Sequence, residues 1–343
     1  MSQELGIWAR YKLRLRRKRL LWRAFRKRRE ILAISRKTDA IKPKDVLLFA
    51  TVRNEMQRLP YFLSHYRRLG VGHFLIVDNA SEDGSDAYLA DQPDVSVWHT
   101  SASYKASRFG MDWLTCLMWR YGQDHWTLTV DADEVLIYPD WERRDLHDLT
   151  KALDRAGLSA MGALMLDLYP KGPIEDQSYT PGHDPVETLS WFYAHGYWAQ
   201  RQPKMSNLWL QGGPRARVFF ADDPGRAPTL NKVPLVRWHR SFVYVNSTHN
   251  ALPARLNRVY DEGGLEKPWG ALLHTKFLPD AGARARSEKA RGEHFADPTL
   301  YENYYDGVAA NPDLWCPSSV RFESAAQLEH LGLMHRGNLR FDL

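Results

Sequence analysis

An α/β fold built on a mostly parallel sheet is the class that three features of this sequence predict. Short apolar runs alternate with stretches of helical spacing across residues 45–169, the rhythm of strand–helix–strand units with right-handed crossovers. Acidic residues gather where those runs end, at Glu55, Asp78, Asp131 and Asp133, and in such sheets ligands bind outside the carboxyl ends of the strands. The length, 343 residues, suits one large domain or two small ones and leaves ample chain for a core.

Residues 6–34 read as one helix, because Ile7, Tyr11, Leu15, Trp22, Phe25 and Leu32 follow steps of three, four and seven, interrupted by Lys18 and Arg29. The other faces are dense with Arg and Lys. Residues 1–42 hold 15 of the 47 basic residues and 3 of the 41 acidic ones, which leaves 32 bases against 38 acids in the rest of the chain. The basicity is therefore a local appendage on an acidic body. A basic amphipathic helix with Trp and Phe on its apolar side suits an anionic membrane surface. A partner-docking helix, a nucleic-acid arm and a plain solvated helix share the pattern. The acidic body argues against a long anionic ligand, so no nucleic-acid partner is expected.

Lys42-Pro43-Lys44 ends that pattern, and residues 45–52, DVLLFATV, form the first buried strand, running into Arg53-Asn54-Glu55. Leu59, Phe62, Leu63, Tyr66 and Leu69 follow at helical spacing, with Gly70 as the stop. The second strand, residues 73–78, ends in DNASEDGS; residues 95–100 give a third strand and residues 107–121 a helix closed by Gly122. The fourth strand ends in WTLTVDADE, and a helix over residues 143–156 leads to a fifth strand over residues 161–169. From Pro170 the rhythm is lost: residues 170–260 read as shorter strands, including residues 216–220, 233–238 and 241–246, and functional loops grafted on the sheet. A strand in ALLHTKFL, a basic helix over residues 283–294 and an irregular aromatic tail complete the chain. The organisation is thus a basic helix (1–42), a first half (43–169), a second half (170–294) and a tail (295–343).

Strand side chains alternate faces, so Asp131 and Asp133 leave the fourth strand on one side with Ala132 turned away. Two carboxylates there suit a hard divalent cation, Mn²⁺ or Mg²⁺, completed by phosphate oxygens of a ligand; a solvated turn after a buried strand has the same composition. No apolar run approaches the 18 residues of a spanning helix, and arginines and lysines break any signal-peptide core, so the mature chain is expected to begin at Met1. Cys116 and Cys316 are too few for a disulfide framework or a zinc site of cysteines, which fits a reducing cytosol.

FATVRNE, LIVDNASEDGS, SRFGMDWL and TVDADE, in this order and spacing, resemble the nucleotide-binding half of GT-A-fold glycosyltransferases of family 2. Downstream, GGPRARVF, LNKVPLVRW, NSTHN and LLHTKFL resemble a bacterial branch of that family with distant similarity to family 92. The resemblance runs over residues 46–293. It implies a Rossmann-like GT-A domain with helices on both faces of the sheet, residues 43–169 binding a nucleotide-sugar donor and residues 170–294 completing the metal and acceptor sites. It also implies Mn²⁺ or Mg²⁺ as cofactor. Carried over, Asp78 contacts the base or ribose with Arg53 and Glu55 beside it, Arg108 approaches the donor phosphates or sugar, Asp131 touches the ribose or the metal through water, and Asp133 binds the metal. A late strand-end histidine commonly completes such a site; His274 and His249 are the candidates, with His239 third.

Lys276, or Arg215 with Arg217, suits a diphosphate, since guanidinium forks match phosphate oxygens; a surface strand accounts for the arginines equally well. A catalytic base is less legible. Asp167 at the end of the fifth strand is best placed, and Asp222-Asp223 and Glu175-Asp176 resemble the family's later acidic pair only in composition, so stereochemistry stays open. Most of the 13 Trp are expected in the core. The resulting expectation is a cytoplasmic, metal-dependent glycosyltransferase held peripherally on the inner face of the plasma membrane by residues 6–34. It would act on a glycan or lipid-linked acceptor in bacterial surface-glycan assembly. The alternative is a GT-A-like scaffold that has lost turnover.

Overall fold

The structure, a computed structural model, describes residues 6–260, 266–293 and 301–341. Helix α1 (Ile7–Lys27) is shorter than the helix expected over residues 6–34: a 3-10 turn at Arg28–Glu30 ends it, and the chain becomes strand β1 (Leu32–Ser35). Leu32 therefore leaves the helical stripe and pairs antiparallel with His99 at the sheet edge.

The central alternation follows in order: β2 (Val46–Val52), α2 (Leu59–Arg68), β3 (Val71–Asp78), α3 (Ser85–Asp91), β4 (Val95–His99), α4 (Met111–Tyr121) and β5 (Trp126–Thr129). Next come β6 (Glu134–Ile137), α5 (Leu146–Arg155) and β7 (Ala160–Tyr169). Strand β2 is buried on both faces, as a central parallel strand must be. Val46, Leu48 and Ala50 share a core with Leu59, Phe62 and Leu63 of α2 and Leu149 of α5, while Leu47 and Phe49 meet Trp113, Leu114 and Met118 of α4. Helices thus cover both faces. Asp145 caps α5 by accepting from the Asp148 amide at 2.9 Å. The helix expected from residue 107 starts four residues later, because Arg108, Phe109 and Gly110 all take left-handed φ (56°, 57° and 75°). A Cβ on Gly110 would lie 2.5 Å from Thr51 Oγ1, so this turn abuts the end of β2.

Beyond β7 come α6 (Pro185–Thr188), β8 (Trp191–Tyr193), β9 (Trp198–Gln202), β10 (Asn207–Gln211), α7 (Gly213–Phe219), β11 (Asn231–Arg237), β12 (Val243–Tyr244), β13 (Ala251–Leu252) and β14 (Trp269–His274). The main sheet runs β1-β4-β3-β2-β5-β11-β7-β14-β6, with β8 on β7 and β15 (Ser319–Arg321) on β8. Strands β4, β3, β2 and β5 are mutually parallel, as are β7 and β14, but β11 enters antiparallel between β5 and β7, and β6 and β1 are antiparallel edges. The sheet is therefore mixed rather than simply parallel, and largely parallel at its centre.

Helices α8 (Ala281–Arg291), α9 (Glu302–Ala309) and α10 (Ala325–His330) close the chain. The segment expected as an irregular tail is folded: Tyr304, Leu314, Leu328 and Met334 are buried, packed on β7, β8, α7 and α8. His294 and residues 295–300 lie outside the described residues. Residues 216–220, expected as a strand, lie mostly in α7, so Arg215 and Arg217 sit on a helix. Among the described residues no helix is long and apolar enough to cross a membrane.

Candidate active site

A cleft of about 650 Å³ opens where β2, β3 and β5 end, a size suited to a small organic ligand. Its floor is the loop from Asp131 to Glu134; β10, β11 and β14 supply Gln211, Lys232 and His274, and α8 and α9 form a wall through Arg284, Arg291 and Tyr304.

A chain of charged contacts crosses the floor. His274 Nε2 lies 3.2 Å from Asp133 Oδ2, and its Nδ1 lies 2.6 Å from Asp167 Oδ1. The other oxygen of Asp167 accepts from Arg215 Nε at 2.7 Å. The sheet enforces this arrangement: β14 lies between β7 and β6, with His274 in register with Asp167 on one side and Glu134 on the other. The Asp133 carbonyl also accepts from the Thr275 amide at 2.7 Å, tying the loop to the end of β14. Burial opposes ionisation of Asp133, yet His274 holds it well below the usual carboxylate range. Burial likewise disfavours the imidazolium, and Asp133 and Asp167 outweigh it, raising the His274 pKa.

Beside this chain, Lys232 enters from β11 with its side chain only 5% exposed, its ammonium 2.9 Å from Glu134 and 3.6 Å from Asp131. Desolvation of the loop and the Glu134 carboxylate raise the Asp131 pKa, against the pull of Lys232 and His274, with the Asp131 side chain itself still 48% exposed. Three carboxylates share this loop, and a cation placed there would relieve their repulsion. Glu55 is held by Arg284 and by Arg58, at 3.4 Å, and Arg58 continues to Asp280 at 3.2 Å. Arg291 donates to the Asn79 side chain and Arg53 to the Asn79 carbonyl, both at 2.7 Å. Helix α8 is thus latched across the ends of β2 and β3.

Arg53, Glu55, Asp131, Asp133, Arg215, Lys276, His249 and His274 all line this cleft. Others of the expected set are elsewhere. Arg108 points away from it: its guanidinium meets Asp112 at 2.7 Å and the Tyr244 carbonyl at 2.7 Å, because the left-handed turn presents Phe109 to the cleft instead. Asp78 is fully buried, with Oδ2 facing His99 at 3.1 Å and accepting from the Ser81 amide at 3.2 Å, and its neighbour Asn79 lines the cleft in its place. Asp223 is a surface residue beside Arg226, its side chain 60% exposed. Both oxygens of Asp167 are engaged, so it orients His274 rather than standing ready as a base. His249 places Nδ1 on the Asn231 carbonyl at 2.7 Å, and burial with the nearby Lys232 depresses its pKa to about 3; that ammonium disfavours a cation there. Arg217 turns to the Leu314 carbonyl and the Tyr193 ring, and His239 to Ser241. Of the tryptophans, Trp238 is core, whereas Trp209 lines the cleft.

Lys232, Arg58, Arg284 and Arg291 complete the charge network without having been singled out in the sequence. Lys232 alone left a signal, a single charge inside the apolar run LNKVPLV.

Among the described residues no group of three or more His, Cys, Asp or Glu side chains is arranged to hold an ion. The Asp133–His274 separation of 3.2 Å is close to the roughly 3 Å edge of an octahedron with metal–ligand distances of about 2.1 Å. Asp167 on Nδ1 is the outer partner that directs a histidine's Nε2 toward a metal. The pair therefore fits a cation that takes its remaining ligands from water and phosphate. These features define an α/β protein with a Rossmann-like, largely parallel sheet and a cleft lined by paired charges at its strand ends. No protein-family model matches the chain, and no curated protein matches it.

Proposed function

We propose that this chain is a metal-dependent glycosyltransferase of GT-A type. It would transfer a sugar from a nucleotide-activated donor to a glycan or lipid-linked acceptor in assembly of the bacterial cell surface, on the cytoplasmic side of the membrane. The observation that carries the reading is the Asp133–His274 pair, backed by Asp167, on the floor of a cleft rich in cations. Asp133 and His274 would hold Mn²⁺ or Mg²⁺, which supplies electrostatic stabilisation of a departing diphosphate. Lys276 and the Arg215 edge add positive charge for the same phosphates. Arg53 and Asn79 on one wall, and Trp209 and Tyr304 on the others, give polar and flat apolar surfaces for a nucleoside and a sugar ring.

One observation favours a second reading, a binding or scaffold protein without turnover: Asp167 is fully engaged and Asp223 lies outside the cleft, so neither expected base is available. Calorimetry with UDP, GDP, CMP and dTDP and their sugars, with and without Mn²⁺, on wild type and Asp133→Ala, tests the site. Metal-dependent binding of one nucleotide, lost in the variant, is expected. Sugar transfer to water or an acceptor then separates enzyme from nucleotide-binding scaffold, and absence of any nucleotide binding removes the enzyme reading and favours the scaffold.

A further inference from the structure

We propose that α1 is an interfacial foot, fixed to the domain by one face and seated on an anionic lipid surface by the opposite one. At about 100° per residue, Leu13, Leu20 and Ala24 fall on one side of the helix. They pack toward α4, β12 and β13, where Leu13 joins Met205, Val243 and Leu252. Ile7, Trp8, Tyr11, Leu15, Trp22 and Phe25 fall on the other side, and all are exposed, Ile7 by 83%, Trp8 by 76% and Trp22 by 61%. Trp22 stacks on Phe25 with ring centroids 5.7 Å apart, so the outward face carries a preformed aromatic patch.

The helix therefore carries apolar side chains on two opposite faces, the outward one interrupted by the exposed Lys18, whose long side chain can lift its ammonium to the headgroups, and further basic residues separate the two faces. Lys12 and Arg19 flank one edge of the outward face and Arg14 the other, all exposed, and the helix contains no acidic residue. Its attachment is rigid: Arg23 Nε reaches the fully buried Asp112 at 2.6 Å, and Asp112 is also gripped by Arg108. The outward face is thus held in place rather than carried on a loose arm.

Charge complementarity identifies the occupant. A nucleic acid would satisfy the cations and leave Ile7 and Leu15 in water; a protein would need an apolar groove with an acidic rim of matching length. An anionic bilayer supplies both requirements at once, since Trp and Phe settle at headgroup level while Lys and Arg meet lipid phosphates and carboxylates. The rest of the chain, from residue 43 on, carries more acid than base, so its net charge does not compete with α1 for an anionic surface. The Arg108 link ends on the Tyr244 carbonyl, just before Asn246 and Ser247, which line the cleft. The foot is thus linked through Arg23, Asp112 and Arg108 to one wall of the cleft. This inference does not depend on the reaction proposed above, because vesicle binding needs no donor.

Full-length protein is sedimented with vesicles of phosphatidylcholine alone and of phosphatidylcholine with phosphatidylserine at roughly one part in three, at low and high salt. Partition onto the anionic vesicles, weakened by salt and reduced at least about tenfold in Trp8→Ser/Trp22→Ser, is expected, with circular dichroism and thermal midpoint unchanged because both side chains are exposed. Arg14→Glu/Arg19→Glu should lose binding to anionic vesicles specifically. Equal binding to neutral vesicles, retention in the tryptophan variant, or capture of single-stranded RNA or a second copy in place of vesicles would overturn the proposal.

Discussion

Asp167 bonds His274 Nδ1 at 2.6 Å and leaves the opposite ring nitrogen 3.2 Å from Asp133. A histidine whose far nitrogen is anchored by a carboxylate has a fixed tautomer and a more basic lone pair. Asp167→Asn should therefore weaken Mn²⁺ binding about ten- to hundredfold in the presence of nucleotide, read by electron paramagnetic resonance of free Mn²⁺. Unchanged affinity would remove His274 from the ligand set.

The Lys232 ammonium is buried between Glu134 at 2.9 Å and Asp131 at 3.6 Å. Lys232→Met leaves Glu134, itself 1% exposed, without its nearest counter-charge. Breaking a buried pair from one side costs about 3–5 kcal/mol, and urea unfolding should show a loss of that order. Lys232→Met/Glu134→Gln should recover part of it, since no lone buried charge is left. A double variant as unstable as the single would mean that packing, not charge, dominates here.

His65 on α2 gives a pH signature away from the cleft. Burial lowers its pKa from 6.5 to about 4, with its Nε2 on the Leu136 carbonyl at 3.1 Å and Arg68 against the other nitrogen. Between those two values the unfolded chain takes up a proton that the folded chain refuses. Stability from this residue therefore falls as pH drops through that window, by about 3 kcal/mol once both states are protonated. His65→Gln should flatten this part of the profile. Parallel profiles for wild type and variant between pH 7 and pH 4 would refute the assignment.

The parts of this molecule that were legible in the sequence are those governed by local patterning. Strands β2, β3, β5 and β7 announce themselves as apolar runs because both faces are covered, and Asp131 and Asp133 because they end such a run. The antiparallel insertion of β11 was hidden, since strand direction depends on connections that periodicity does not encode. Leu32 fitted a helical stripe, but the free edge of β4 offered it ladder hydrogen bonds that a longer helix could not. Arg108 and Arg215 show the same limit for the site. Each guanidinium is committed by a partner distant in sequence or by a backbone turn, Tyr244 and Asp112 for one and Asp167 for the other, and spacing alone cannot see which way it points.

Lys276 is the cleft cation best placed to meet an incoming anion. Among the described residues, the other basic side chains on the cleft wall are committed. Arg58 and Arg284 hold Glu55, Arg215 holds Asp167, Lys232 holds Glu134, Arg226 holds Asp223, and Arg53 and Arg291 hold Asn79. Lys276 instead places its ammonium 5.8 Å from the Tyr304 ring centroid, a contact that leaves the charge able to turn to phosphate. Lys276→Met keeps an unbranched side chain of similar length and removes the charge. Affinity for the preferred nucleoside diphosphate should fall about tenfold, the size of one charge-assisted contact of roughly 1.5 kcal/mol, while the unfolding midpoint stays put. The corresponding nucleoside monophosphate, which lacks the second phosphate, should lose much less. Equal losses for the two ligands would move Lys276 away from the diphosphate, and no loss for either would leave it a structural partner of Tyr304.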